Sequence, residues 1–294
     1  MVNCKRINED TKELSSWTKS TYVTKARALF GAAVEWNYID RNPFVPPKSS
    51  RRSSLKTQPK AKTWDHIVPT QFLSLIGATP SPRVRARYWL MYGSGLRPGE
   101  VYNLRVDKID LEARTVRIEN RDATDEVPGF TVKCDGDSRD GKARTVPIPV
   151  SAIPDLAVAM KDSFKAGGFV ALTPERFQAV QRNWKLCCAG KPHGRKKKWQ
   201  PWENRDMAND VLRNAKVHLK RAKIKTTSAF TLTTLRKSFA QNHADAGTPP
   251  KTLAELMGHS DVRMTMTYYA RMTHANMDRA ARTSDRLFRT GTDE

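Results

Sequence analysis

Apolar positions along this chain keep two different periods, and the change between them divides it into regions. Over residues 14–40, Trp17, Val23, Ala26, Leu29, Phe30, Ala33, Val34 and Trp36 recur at helical intervals, and Asn42-Pro43 stops the pattern. Helical spacing resumes over 71–78, ended by Pro80, and over 83–91, closed by Gly93 and Gly95. A further helix is predicted after Pro98, because proline favours the first helical position. The period then shortens to about two. Thr115-Val116-Arg117-Ile118, Phe130-Thr131-Val132-Lys133-Cys134 and Arg144-Thr145-Val146-Pro147-Ile148 read as strands, with a turn over Asp135 to Gly141. Helical spacing returns over 152–165, 174–186, 204–222, 232–246, 250–257 and 264–281. The pattern predicts a mainly α (α+β) fold, with a small three-stranded antiparallel sheet set inside a helical domain.

The run Pro46-Pro47-Lys48-Ser49-Ser50-Arg51-Arg52-Ser53-Ser54 interrupts this order with linker composition, and Lys56, Lys60 and Lys62 extend its charge. Three segments are expected: a short helical domain over 1–47, a basic linker over 48–65 and a larger domain over 66–294. Charge narrows the function. Lys and Arg number 52 against 30 Asp and Glu, giving +22. Such an excess draws polyanions, nucleic acid first among them. Hydrophobic residues make up 38% of the chain, enough for a packed core, so the charge is expected on a globular fold rather than a disordered tail. No apolar run reaches the roughly 18–20 residues of a membrane span, and the polar Met1 to Asp10 is no secretory signal. Cys4, Cys134, Cys187 and Cys188 show no paired spacing, which fits a reduced, intracellular setting. Cys187, Cys188 and His193 match no zinc pattern.

Three short stretches carry candidate chemistry. In Gly93-Ser94-Gly95-Leu96-Arg97-Pro98-Gly99-Glu100-Val101 a glycine-flanked arginine sits at a helix start, where its planar fork can lie on a phosphate. Taken alone, Arg97 beside Glu100 reads as a surface ion pair. The second stretch is Thr233-Thr234-Leu235-Arg236-Lys237-Ser238-Phe239-Ala240. The third is Leu256-Met257-Gly258-His259-Ser260, followed by Thr265-Met266-Thr267-Tyr268-Tyr269. Singly, His259 reads as a capping or core histidine and Tyr268 as a packed aromatic.

Together and in this order, the three stretches resemble the signature of the tyrosine recombinase (phage integrase) family over about residues 70–281. Arg97 matches the arginine of the family's Gly-Leu-Arg turn, and Arg236 the arginine of its His-x-x-Arg box. Thr233 stands where that box has histidine; a hydroxyl can donate to a phosphate oxygen but cannot act as an imidazole. The family sets its Gly-His-Ser turn nine residues before the nucleophilic tyrosine, which is the separation of His259 from Tyr268. Tyr269 is the competing nucleophile, and the Thr-x-x-Tyr pattern favours Tyr268. The family's general acid is a lysine on a hairpin: Lys133 is preferred, and Lys142 competes with it. The N-terminal helical segment resembles only the last part of the family's core-binding domain.

The resemblance implies DNA strand breakage and rejoining. Arg97 and Arg236 would stabilise charge on the transferring phosphoryl group, Tyr268 would form a 3′-phosphotyrosine, Lys133 or Lys142 would protonate the leaving 5′ oxygen, and His259 would bind the phosphate or help take the phenolic proton. Because the ester keeps the bond energy, no ATP is needed; because the signature holds no carboxylate cluster, neither metal nor other cofactor is expected. The implied partners are double-stranded DNA and three further copies of the chain in a homotetramer, with no membrane. The implied setting is the cytoplasm, on nucleoid DNA of a bacterium or phage. A type IB topoisomerase-like enzyme and a catalytically weakened DNA-binding relative are the alternatives.

Overall fold

The computed structural model describes residues 16–44, 66–132, 143–190, 204–225, 230–269, 277–278 and 281–284. The chain divides into two compact units, Met1–Trp64 and Asp65–Glu294.

In the first unit, helix α1 (Ser16–Glu35) runs nearly as its apolar spacing predicts. Asn37 ends it in a left-handed conformation, at φ 57°, which asparagine tolerates better than most residues. The chain then folds back on the helix. Arg27 Nε donates to the Phe44 carbonyl at 2.8 Å, Asn42 Nδ2 to the Arg27 carbonyl at 2.8 Å, and Phe30 packs on Phe44 at 5.1 Å.

The second unit begins with α2 (Pro69–Gly77) and α3 (Pro82–Tyr92). Tyr88, Trp89, Leu90, Met91 and Tyr92 are all buried, so the end of α3 is enclosed on every side. Phe72 of α2 stacks on Tyr92 with centroids 3.8 Å apart and meets Trp89 edge-on at 4.8 Å. Several polar atoms on this buried helix find partners. Trp89 Nε1 donates to Asp155 Oδ2 at 3.1 Å, Arg85 Nε to Asp155 Oδ1 at 2.8 Å, and Tyr88 Oη lies 3.1 Å from His218 Nδ1. After the short α4 (Pro98–Asn103) comes the sheet.

Its strands are β1 (Ile109–Asp110), β2 (Thr115–Ile118) and β3 (Arg144–Pro147), in that order and antiparallel. Val116 pairs with Val146 and Ile118 with Arg144. This corrects one expectation. In its described part, Phe130 to Val132, the run is not a strand of the sheet; Phe130 exchanges two 2.8 Å backbone hydrogen bonds with Arg121 in an isolated bridge, and the Val132 N–H is taken by Asn120 Oδ1 at 2.8 Å. Pro128 and Gly129, just before it, give the ladder no length to grow. The third strand is instead the two-residue β1, too short to carry a period. Cys134 and the turn from Asp135 to Gly141 lie outside the described residues, as do the linker over 48–65 and His193.

Helices complete the unit: α5 (Ile153–Ser163), α6 (Pro174–Cys188), α7 (Asn204–Arg221), α8 (Leu232–Asp245), α9 (Pro250–Met257) and α10 (Val262–Tyr269). Of the helix expected over 264–281, residues 277–278 are again helical, while 270–276 fall outside the described set. Helix α3 packs against α5 and α8, and α8 against α9 and α10. That packing brings the three candidate stretches together.

Candidate active site

The site is organised by the C-terminus of α9. Gly258 closes that helix in the left-handed conformation, at φ +63°. The N–H groups of Gly258 and His259 then reach back to the carbonyls of Glu255 and Ala254, each at 3.0 Å. This is a Schellman ending, and it leaves the last carbonyls of the helix facing outward. Three arginines from three other elements meet these carbonyls. Arg144 Nε donates to the Leu256 carbonyl at 3.0 Å, Arg236 Nη2 to that of Met257, and Arg97 Nη2 to that of Gly258 at 3.1 Å. Consecutive carbonyls at the negative end of a helix thus each hold one guanidinium.

Each arginine has a local reason for its place. Gly95, at φ +69°, turns the chain between α3 and α4; a Cβ there would lie 2.6 Å from the Phe239 ring, so the turn seats directly on α8. Arg97 is the residue before α4, with Pro98 at the first helical position. Glu100 caps this helix, accepting from the Arg97 backbone N–H at 2.7 Å and from Arg97 Nη1 at 3.2 Å. Arg236 lies on the inner face of α8 between the buried Leu235 and Phe239, and its Nη1 donates to the Gly95 carbonyl. Burial, and then the charge of Arg97, push the Arg236 pKa down to about 9, so it remains cationic at neutral pH.

Among the described residues, Glu100 is the one carboxylate set between these guanidinium groups. Arg144 Nη1 and Nη2 grip its two oxygens at 3.0 and 2.7 Å, and Arg236 Nη1 lies 4.0 Å away. Burial opposes its charge, but hydrogen bonds and charge from Arg144, then the charge of Arg236, outweigh it and hold the carboxyl below its ordinary pKa. The reading of Arg97 and Glu100 as a surface ion pair is therefore corrected: Glu100 is buried, at 3% exposure. Sequence reasoning missed Arg144 and the buried role of Glu100. The available signal was the strand period, which puts Arg144 on the same face as the buried Val146.

His259 follows the arginine-binding carbonyls directly. Its Nδ1 lies 2.8 Å from Oγ1 of Thr265, which is fully buried on α10. Tyr268 is one turn further along that helix, on the same side. Its ring packs on the cluster formed by Phe239, Ala240, Ala244, Leu253 and Met257. Burial raises the phenol pKa, against a smaller lowering by the Arg236 charge, so the hydroxyl holds its proton at neutral pH. Tyr269 also packs on this cluster, and its hydroxyl donates to the Thr248 carbonyl. Thr233 is exposed in the first turn of α8, with its Oγ1 2.8 Å from Thr231 Oγ1. Arg97, Arg236, His259 and Tyr268 are thus brought together around one helix end. Lys133 and Lys142 lie outside the described residues.

The profile of the phage integrase family matches residues 69–275, well over half of the chain. The chain belongs to the phage integrase family, the tyrosine recombinases. Relatives within it are distant. The chain is 23% identical over 281 residues to the tyrosine recombinase XerC-like protein of Caldanaerobacter subterraneus, covering 89% of this chain and 64% of that protein. It is 27% identical over 268 residues to the tyrosine recombinase XerD of Mycobacterium leprae, covering 87% and 70%. The chain therefore spans about two thirds of the length of these relatives. Among solved structures, the Tn1549 transposon integrase in complex with transposon right end DNA matches with a TM-score of 0.62 at 21% identity, over 93% of this chain and 80% of that one. The XerH site-specific recombinase bound to its difH substrate matches with a TM-score of 0.53 at 15% identity, over 91% and 65%. At such identities these matches establish the tyrosine recombinase fold.

Proposed function

We propose that this tyrosine recombinase is a site-specific recombinase that cleaves and rejoins DNA through a 3′-phosphotyrosine, without ATP. The observation that carries the reading is the end of α9, where Arg97 and Arg236 are anchored beside His259, whose ring is tied to the helix of Tyr268. A phosphate brought to the two guanidinium groups finds donors already in place, and preorganised donors stabilise charge as it develops in the transition state. Tyr268 attacks phosphorus; the P–O5′ bond breaks as the P–O(Tyr) bond forms. His259 bonds the phosphate or relays the phenolic proton, and Lys133, or Lys142, protonates the departing 5′ oxygen. Attack by a 5′ hydroxyl from another strand reverses the step and frees the tyrosine. Thr233, on the exposed first turn of α8, offers a hydroxyl to a phosphate oxygen in place of imidazole.

Double-stranded DNA is the proposed partner, supported by the net charge of +22 and by DNA in the solved complexes of the two related recombinases. Strand exchange between two duplexes calls for a homotetramer. In domain terms, 1–47 is the end of a core-binding domain, 48–65 a basic linker and 66–294 the catalytic domain, working in the cytoplasm on nucleoid DNA.

A nicked suicide substrate, which loses its 5′ fragment on cleavage, tests this reading. Wild type is expected to form a complex that survives denaturation; Tyr268→Phe is expected to form none, and Tyr269→Phe to retain it. Loss with Tyr269→Phe alone would reassign the nucleophile. An adduct that relaxes supercoils but never joins two duplexes would make the protein a type IB topoisomerase-like enzyme. DNA binding with no adduct would make it a DNA-binding relative.

A further inference from the structure

Three guanidinium groups surround one buried carboxylate at this site, and they do not share it equally. Arg144 holds both oxygens of Glu100, at 3.0 and 2.7 Å, in the two-pronged arrangement that gives the strongest carboxylate pairing. Arg97 Nη1 reaches one oxygen at 3.2 Å, and Arg236 Nη1 stands off at 4.0 Å. The Arg144 side chain is itself only 9% exposed and that of Glu100 2%, so water screens this pair little. Arg144 also donates Nε to the Leu256 carbonyl, and Gly258 lies against its guanidinium so closely that a Cβ would come within 2.8 Å of Nη1. The strand is thereby fastened to both the α4 turn and the end of α9.

We propose that Arg144 is a positioning residue for strand cleavage: by engaging the Glu100 carboxylate it keeps that charge from drawing Arg97 and Arg236 away from the scissile phosphate. This rests on the cleavage reading above. Without Arg144, Glu100 would be a buried anion whose nearest described cations are Arg97 and Arg236, which have to meet a second anion when DNA binds. A buried charge stripped of its partner takes whatever counter-charge is at hand. Phosphate and carboxylate would then compete for the same donors. Arg144 acts on the phosphate through Glu100 rather than by touching it.

The test is single-turnover cleavage of the suicide substrate, with DNA affinity and the thermal melt recorded alongside. Arg144→Met is expected to lower the cleavage rate about 10²- to 10³-fold, the scale of losing one preorganised donor, while DNA affinity changes less than about threefold. Adding Glu100→Gln removes the stranded charge, so the double variant is expected to recover at least about fivefold of the cleavage rate. A strand that merely holds the fold together would show no such recovery. Should Arg144→Met not fold, Arg144→Lys carries the same comparison, since it keeps the charge and loses the two-pronged grip; it too should cleave slowly and be rescued by Glu100→Gln. Cleavage at the wild-type rate in Arg144→Met, or no recovery in the double variant, overturns the role of Arg144 alone. A wild type that forms no adduct overturns the cleavage reading itself.

Discussion

A single hydroxyl links the candidate histidine to the helix of the candidate nucleophile. Thr265 Oγ1 is fully buried and 2.8 Å from His259 Nδ1, and it fixes which way the imidazole points. Thr265→Val keeps the volume and removes that bond. A net hydrogen bond is worth about 1 kcal/mol, so single-turnover cleavage is expected to fall about fivefold to tenfold with little change in DNA affinity. Equal losses in rate and affinity would show instead that the substitution disturbs the whole surface. At this scale the motif residues were legible, because Arg97, Arg236, His259 and Tyr268 stand in fixed order and spacing. Glu100 and Arg144 were not. They are 44 positions apart, and only the closing of β3 over α4 makes them partners. An arginine on the inward face of a strand implies a buried counter-charge, but the sequence does not say which one.

Among the elements, the short helix α9 is the most constrained. Gly258→Ala would put a side chain on a left-handed residue and a Cβ 2.8 Å from Arg144. The backbone alone costs about 1–2 kcal/mol, and the contact adds to it. A lower denaturation midpoint together with slower cleavage is the expected result, since fold and arginine anchors share this turn; unchanged values would show that the turn has room to spare. Helix α7 offers a pH test. His218, buried against Tyr88, has its pKa lowered from 6.5, first by burial and then by the charge of Arg221. A depressed folded pKa means stability that is complete above the unfolded value and lost as pH falls through the folded one. His243 on α8 shifts the same way, by burial. The melting temperature is expected to drop as pH falls from about 7.5 to 5.5, and to drop less in His218→Gln; equal drops would exclude His218 as a source. Helix positions were legible from apolar spacing to within a few residues. The sheet was less so, because a two-residue strand has no period and the Phe130 run alternates without joining the ladder.

For the molecule as a whole, the +22 charge makes a prediction that needs no knowledge of the target sequence. Each phosphate neutralised releases counterions, so affinity falls steeply with salt, by about 10³–10⁵ between 50 and 200 mM for six to ten contacts. A fall of at least about 10²-fold is expected here, measured on any duplex. A flat response would mean that the basic residues face elsewhere. Through this charge the sequence narrowed the expected partner to polyanions.

The anchors at residues 256, 257 and 258 are peptide oxygens, not side chains. A mutation can change what Leu256 or Met257 presents to its neighbours, yet it leaves the acceptor atoms untouched. The arginine layout is therefore insulated from side-chain changes at those two positions, within what the core around the buried Met257 accommodates, so long as the helix ends in the same place. The fragile letter is the glycine that sets this ending.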